Sequence, residues 1–417
     1  MEERRISMLY LENLKRRLTG LFSAEARRSP AFPIVLLFIV LIVPAGLWFA
    51  HTRAYFHKTK QKINDEPQTA LSTGPGGRDP VIITRNPSAP GAPEFVSATI
   101  LPGLGLDILQ ITARIPGKGD IPLLVAPSLD DFTTGSVVRH GPNDVHGALE
   151  APWGGILSGL KTILGTSLML DFQGNTFSVP TDDKGVQGGA EGGLLQNQVF
   201  GAPVVSHADD AVTLTGSLPE TDFDGHWRSK MQVQVEVRIS GKFVDITSAI
   251  RNVGEESAPM GLGWHPRFQL GSDRADVRLR IPQASVLEIS DRTHELPTGK
   301  ITAAGNTLAR FMDGPEPLRN VSLDEALVRL KNTAPTSAEI QDPAAGYGLR
   351  LTAVSSNMRE LRVFAPSDGN FVSLGFQTNF DNPLGHVWTA EEPAIAILQP
   401  GQTLEYKVRL EILPIRP

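Results

Sequence analysis

Six stretches of this chain alternate polar and apolar residues with a period of two: 106–115 (LDILQITARI), 230–239 (KMQVQVEVRI), 243–252 (FVDITSAIRN), 276–281 (DVRLRI), 347–354 (YGLRLTAV) and 404–413 (LEYKVRLEIL). Successive side chains of a strand point to opposite faces, so this pattern marks antiparallel strands with one face in a core. Glycine (40) and proline (32) are abundant and fall with Asp and Asn between these runs, as turns between short strands require. The one short helical stretch that suggests itself lies near Leu323–Leu330. Residues 96–417 are therefore predicted to form one large antiparallel β-sandwich, an all-β fold, rather than two domains.

The N-terminal region has a different character. Residues 33–50 (PIVLLFIVLIVPAGLWFA) carry no charge, and a run of this length can cross a bilayer core as a helix. Pro44 is tolerable in such a span, and Trp48 suits the lipid–water boundary. The leader, residues 1–32, holds Arg4, Arg5, Lys15, Arg16, Arg17, Arg27 and Arg28, against Arg53, Lys58, Lys60 and Lys62 after the span. This excess predicts a single-pass anchor with the leader in the cytoplasm and the bulk of the chain periplasmic or otherwise extracytoplasmic. Within the leader, residues 8–22 (MLYLENLKRRLTGLF) combine apolar residues at helical spacing with basic ones, which fits a membrane-surface helix or a short solvated one. Residues 51–95, rich in Pro, Gly, Ser and Thr (TGPGGRDP, RNPSAPGAPEF), read as a flexible linker.

Composition excludes several functions. There are no cysteines, so disulfides, thiolate metal sites and cysteine nucleophiles are ruled out. A net charge of −6 argues against a nucleic-acid partner. The nine histidines show no ligand spacing, and His140–Gly147 (HGPNDVHG) lacks acidic partners at helical spacing, so no metal is predicted. No Gly-x-Ser-x-Gly elbow is present. The glycine-rich patches GPGG and GVQGGAEGG lack the strand-then-helix setting of a phosphate loop and read as turns. No cofactor is expected, and the sequence names no protein partner.

The segment Arg251–Leu270 (RNVGEESAPMGLGWHPRFQL) resembles the galactose mutarotase (aldose 1-epimerase) superfamily, in which an Asn-x-Gly turn leads through Pro-Met into a strand ending His-Pro-x-Phe. Those positions are Asn252, Gly254, Pro259, Met260, His265, Pro266 and Phe268. Four further resemblances keep the family's order. Ala151–Gly159 (APWGGILSG) is similar to its Pro-aromatic-Asn-Arg turn, and Leu296–Thr307 with Ser322–Leu327 to its Pro-Thr-Gly segment and sequel. Phe371–Pro383 (FVSLGFQTNFDNP) is similar to its late site strand, and Leu398–Ile412 to its closing Pro-Gly hairpin. The resemblance implies a galactose mutarotase-like supersandwich that holds a sugar or the end of a glycan.

Mutarotation opens a cyclic hemiacetal and recloses it, so a base must take the anomeric proton while an acid protonates the ring oxygen. In the family a glutamate is the base and the histidine of His-Pro the acid, with a further histidine and an arginine on the substrate. His265 matches the acid. The base position holds Gly375, and the Asn-Arg pair appears as Gly154 and Gly155. For the first histidine the candidates are Gln187 and Glu191, of which Glu191 fits better. Asp381, with Glu391 and Glu392 just beyond it, and Glu191 are the carboxylates that could stand in for the base. Trp153, Trp264, Phe268, Gln377 and Asn379 are the candidate sugar contacts, aromatics for the ring face and amides for hydroxyls. Three readings follow: a membrane-anchored sugar-binding protein with weak or lost epimerase activity, an epimerase using a displaced carboxylate, and a non-catalytic envelope scaffold.

Overall fold

The structure is a computed structural model, and it describes residues 74–88, 91–129, 131, 147–162, 165–181, 189–290, 296–330 and 335–415. The leader, the apolar segment 33–50 and the start of the linker lie outside these residues. Among the described residues no helix is long and apolar enough to cross a membrane. By its internal contacts Ser72–Pro417 is one unit.

Two large antiparallel sheets dominate it. The nine-stranded sheet runs in the order Val204–Ala208, Ala211–Thr221, Met231–Ile239, Phe243–Asn252, Thr403–Pro414, Tyr347–Ala353, Thr336–Asp342, Arg278–Arg280 and Glu316–Pro317. The C-terminal strand is thus central, paired on one side with Phe243–Asn252 and on the other with Tyr347–Ala353. Its even-numbered residues Leu404, Tyr406, Val408, Leu410 and Ile412 are buried, as period-two alternation requires.

The second sheet runs Pro297–Thr302, Ser285–Ile289, Leu323–Arg329, Glu360–Ala365, Phe371–Gln377, Gly263–Trp264 and Leu149–Glu150, with Arg267–Gln269 also paired to Phe371–Gln377. One apolar core joins the sheets, with Val233, Val235 and Tyr406 from the first and Leu361, Val363, Leu374 and Phe376 from the second. The Tyr406 hydroxyl crosses that core to donate to the Phe376 carbonyl at 3.0 Å, satisfying a polar group that would otherwise be stranded.

Two expectations about local structure are corrected. Leu323–Arg329 is a strand, not a helix. It carries a bulge, four residues (323 to 326) standing against the partner's three (365 to 363), with Glu325 at φ 70°. The extra residue breaks the period-two pattern and leaves Leu323 and Leu327 at a helix-like spacing of four. The helix in this region is Asn306–Asp313, which buries Phe311 and Met312. The linker also ends earlier than residue 95. Val81–Thr84 pairs with Ser97–Ile100 in a four-stranded sheet, and buried Arg85 bonds Glu94 at 2.6 Å.

Candidate functional site

Strand register assembles the site. Gln377 lies opposite Glu360 on one side and Gly263 on the other, and Gly263 in turn lies opposite Glu150. Gly375 lies opposite Arg362. Residues directly opposite share a face, and residues two apart on a strand share it as well. Glu150, Gly263, His265, Gly375, Gln377, Glu360 and Arg362 therefore all belong to one face of the second sheet. Trp264, Phe376, Leu361 and Leu374 fall on the other face and fill the core. The bulge at Glu325 turns that side chain toward the same face, where it meets Arg362.

Glu150 and His265 form a pair. His265 Nδ1 lies 2.9 Å from Glu150 Oε1, and Glu150 Oε2 accepts from the Gly155 amide at 2.7 Å. With both carboxylate oxygens as acceptors, the ring's Nδ1 carries the hydrogen of this bond and Nε2 is the ring's remaining polar atom. His265 Nε2 has no partner among the described residues. The ring lies over the backbone of Gly375, where a Cβ would collide with Cδ2, so only glycine fits there while His265 holds this position.

Arg362 is buried at 8 % exposure and faces a carboxylate from each nitrogen: Nη2 to Glu325 at 2.5 Å, Nε to Asp381 at 3.5 Å and Nη1 to Glu191 at 3.6 Å. Burial alone would pull its guanidinium down, but Asp381, Glu325, Glu191 and Glu150 together hold it well above its ordinary value. Behind it, Gln377 Nε2 donates to both Glu360 Oε1 (3.0 Å) and Asp381 Oδ1 (3.1 Å). Burial raises the Glu360 carboxyl well above its usual range, and Asp381 adds to this. Burial likewise raises Asp381 against the pull of Arg362, with Glu325 adding to the rise. Glu191, the last residue of the strand Gly189–Glu191, is pushed to about 7, first by burial and then by Glu150, Glu325 and Asp381, with Arg362 opposing.

The turn Pro152–Gly155 lies against this cluster. Asn379 clamps it, accepting from the Gly154 amide at 2.9 Å and donating to the Gly154 carbonyl at 2.8 Å. A Cβ at Gly155 would strike Asp381 Oδ1 and stand 3.1 Å from Arg362 Nη1. The Asp381 carboxylate, with the Arg362 guanidinium beside it, thus occupies the space into which a side chain at 155, the family's arginine position by resemblance, would point, and Gln377 and Asn379 border the corresponding space at Gly154.

The candidates named from sequence are placed as follows. His265, Glu191 and Asp381 join one cluster. Gln377 and Asn379 border it but are fully buried, Gln377 tying carboxyls together and Asn379 holding the turn. Trp153, Trp264 and Phe268 offer no open ring face. Trp264 neighbours His265 in a strand, so when His265 faces the site Trp264 must face the core, where its indole donates to the Gly147 carbonyl and its ring meets Phe268 edge-on at 6.3 Å. Trp153 packs on Trp227 at 5.7 Å. These three are corrected from sugar platform to supporting core. Glu150, Glu325, Glu360 and Arg362 were not singled out from sequence. Glu360 and Arg362 stand at i and i+2 in a strand buried on both faces (ELRVFA), and charges placed so in an apolar strand are a legible signal. His140–His146 and Gln187 lie outside the described residues, and the described residues contain no group of three or more side chains able to hold a metal.

The fold is a large antiparallel supersandwich with a buried polar centre on one face of its second sheet. The profile of aldose 1-epimerase matches residues 168–411, more than half of the chain, and the chain belongs to that family. A galactose mutarotase-like protein from Clostridium acetobutylicum superposes with a TM-score of 0.63 at 17% identity, covering 77% of this chain and 93% of that one. The aldose epimerase homologue from C. elegans gives 0.59 at 14% (81% and 99%), and a galactose 1-epimerase from Lactobacillus acidophilus gives 0.58 at 12% (81% and 99%). No curated protein sequence matches.

Proposed function

We propose that this chain is a carbohydrate-binding member of the aldose 1-epimerase family in which mutarotation is attenuated or lost. The carrying observation is at Gly375. The family's base position, by resemblance, bears no side chain, and the His265 ring covers it, so no base extends from Gly375. Loss of a general base removes about a hundred- to ten-thousandfold of rate, whereas sugar binding needs only a shaped polar surface. His265, Glu191, Glu325 and Arg362 supply the charged and hydrogen-bonding groups of that surface. The test is anomer interconversion of fresh α-D-glucose and α-D-galactose with the purified full-length chain, together with ligand-observed NMR for binding. Acceleration in proportion to protein, lost in His265→Ala, would overturn the proposal. Absence of any sugar binding would leave the scaffold reading.

One observation favours a working epimerase. Glu191 titrates near 7 beside His265's partner Glu150, which suits a general base at neutral pH. In that reading Glu191→Gln abolishes an activity that wild type must first display.

We further propose that residues 33–50 anchor the chain in a membrane with residues 72–417 extracytoplasmic, which supports a role on sugars or glycan ends outside the cytoplasm. Alkaline carbonate extraction and protease accessibility of the intact chain in cells test this. Release into the soluble fraction, or protection of the domain on the cytoplasmic side, would contradict it.

A further inference from the structure

A basic pair lies outside the polar centre and reaches solvent. Arg329 stands opposite Glu360 in the second sheet, two residues along its strand from Leu327, which stands opposite Arg362. Arg329 and Arg359 close on one carboxylate, that of Glu392. Arg329 Nη2 lies 3.0 Å from Oε2, and Arg329 Nη2 and Arg359 Nη2 each lie 3.1 Å from Oε1. Two cations thus share one anion. Glu360, next to Arg359 in sequence, is bonded instead to Gln377 and has its carboxyl raised by burial. Glu391 is exposed and held by its own turn. Burial pulls the Arg359 guanidinium below its ordinary value; Glu392 opposes this and Arg329 adds to it. Arg359 Nε has no partner among the described residues. The pair therefore carries charge and N–H donors beyond what Glu392 satisfies.

Glu392 is lightly held. It lies in the loop 381–393, whose ends are joined by the Phe380 amide donating to the Ala394 carbonyl at 2.8 Å. Trp388 stacks on Phe380 at 5.0 Å and donates to the Asn382 carbonyl, which fixes the first half of the loop. Beyond it Thr389, Ala390, Glu391 and Pro393 are exposed. Apart from the arginines, Glu392 is bonded through its amide to Thr389 Oγ1 at 3.3 Å. The side chains of Arg329, Arg359 and Glu392 are 25%, 20% and 29% exposed, so a solute meets the pair from solvent without entering the buried centre.

We propose that Arg329 and Arg359 form a subsite for a carboxylate on the ligand, that of a uronic acid or similarly acidic sugar, and that Glu392 is the chain's own occupant, which the ligand displaces. A carboxylate reproduces the planar two-oxygen group already seated between the guanidiniums. A neutral sugar has no charge to offer them, and an amino sugar is repelled. The sugar half of this inference rests on the reading above; the carboxylate half stands on the two arginines.

The experiment titrates the purified full-length chain with D-glucuronate, D-glucose, acetate and inorganic phosphate by calorimetry or NMR, at low salt and about pH 7.5, where carboxylic acids are ionised. Glucuronate should bind at least about tenfold more tightly than glucose or acetate. Arg329→Gln and Arg359→Gln, each checked by thermal melting, should remove about tenfold of that affinity. Glu392→Gln keeps the shape of the side chain and removes its charge, so it should raise glucuronate affinity by at least about tenfold and leave glucose unchanged. A carboxylate that only latches the loop predicts unchanged or weaker glucuronate binding in Glu392→Gln. That result, glucuronate binding no better than glucose, or phosphate binding better than glucuronate would each overturn the inference while sugar binding itself stood. Acetate matching glucuronate with the same arginine dependence would keep the carboxylate subsite and remove its sugar half. Failure of all four to bind would remove the sugar reading and this inference together.

Discussion

Gly375→Ala is a sharp probe, because a single methyl group separates the two arrangements this strand could adopt. The new Cβ would occupy the place of His265 Cδ2, so the ring must leave, and with it goes the 2.9 Å bond to Glu150. Forcing a carbon into a filled position destabilises by about 1–3 kcal/mol. Losing a hydrogen bond to a charged group whose partner stays buried adds about 1.5–3 kcal/mol. Together the substitution should cost about 2.5–6 kcal/mol, read from urea unfolding followed by tryptophan fluorescence. The double variant Gly375→Ala/His265→Ala should be less destabilised than the sum of the singles by about 1–3 kcal/mol, since without the ring there is no clash. If Gly375→Ala alone costs under about 1 kcal/mol, or the two changes are additive, the ring does not occupy the base position and the reasoning fails.

Arg362→Met leaves Glu191, Glu325 and Asp381 without their shared cation and should destabilise by about 3–5 kcal/mol in the same assay. Glu150→Gln should release the His265 ring, seen as loss of the single Nδ1–H tautomer in ring nitrogen NMR shifts, whereas a merely structural Glu150 would leave the tautomer in place. Glu191 has a folded-state value of about 7 against an ordinary 4.5. The folded chain therefore binds more protons than the unfolded one between these values. Its contribution is fully present below about pH 4.5 and is lost as pH rises through about 7, by about 3 kcal/mol in all. Glu191→Gln should flatten that part of the stability–pH curve, and a slope unchanged in the variant would assign the titration elsewhere.

The large strands were legible because each buries one face and so writes period two into its residues; Met231–Ile239 and Thr403–Pro414 are of this kind. Leu323–Arg329 was misread because its bulge adds a residue and erases that period. Val81–Thr84 was hidden by the Pro- and Gly-rich residues around a four-residue strand. At the site, His265 was found through its flanking Pro266 and Phe268. The same motif misled about Trp264, since neighbours in a strand cannot both face the ligand. Glu150, Glu325, Glu360 and Arg362 come from three separate strands, and only register, a long-range property, brings them to His265. The empty position at Gly375 was visible in sequence, but its occupation by the ring of His265 was not.

The central claim is that this domain holds a sugar without turning it over. It is tested most directly by adding fresh α-D-galactose to the full-length chain and following it by proton NMR, with saturation transfer reporting binding and the α:β ratio reporting interconversion. The account predicts saturation transfer to the ring protons and an α:β time course indistinguishable from buffer. Interconversion that quickens in proportion to the protein, or ring protons that receive no saturation, would contradict it.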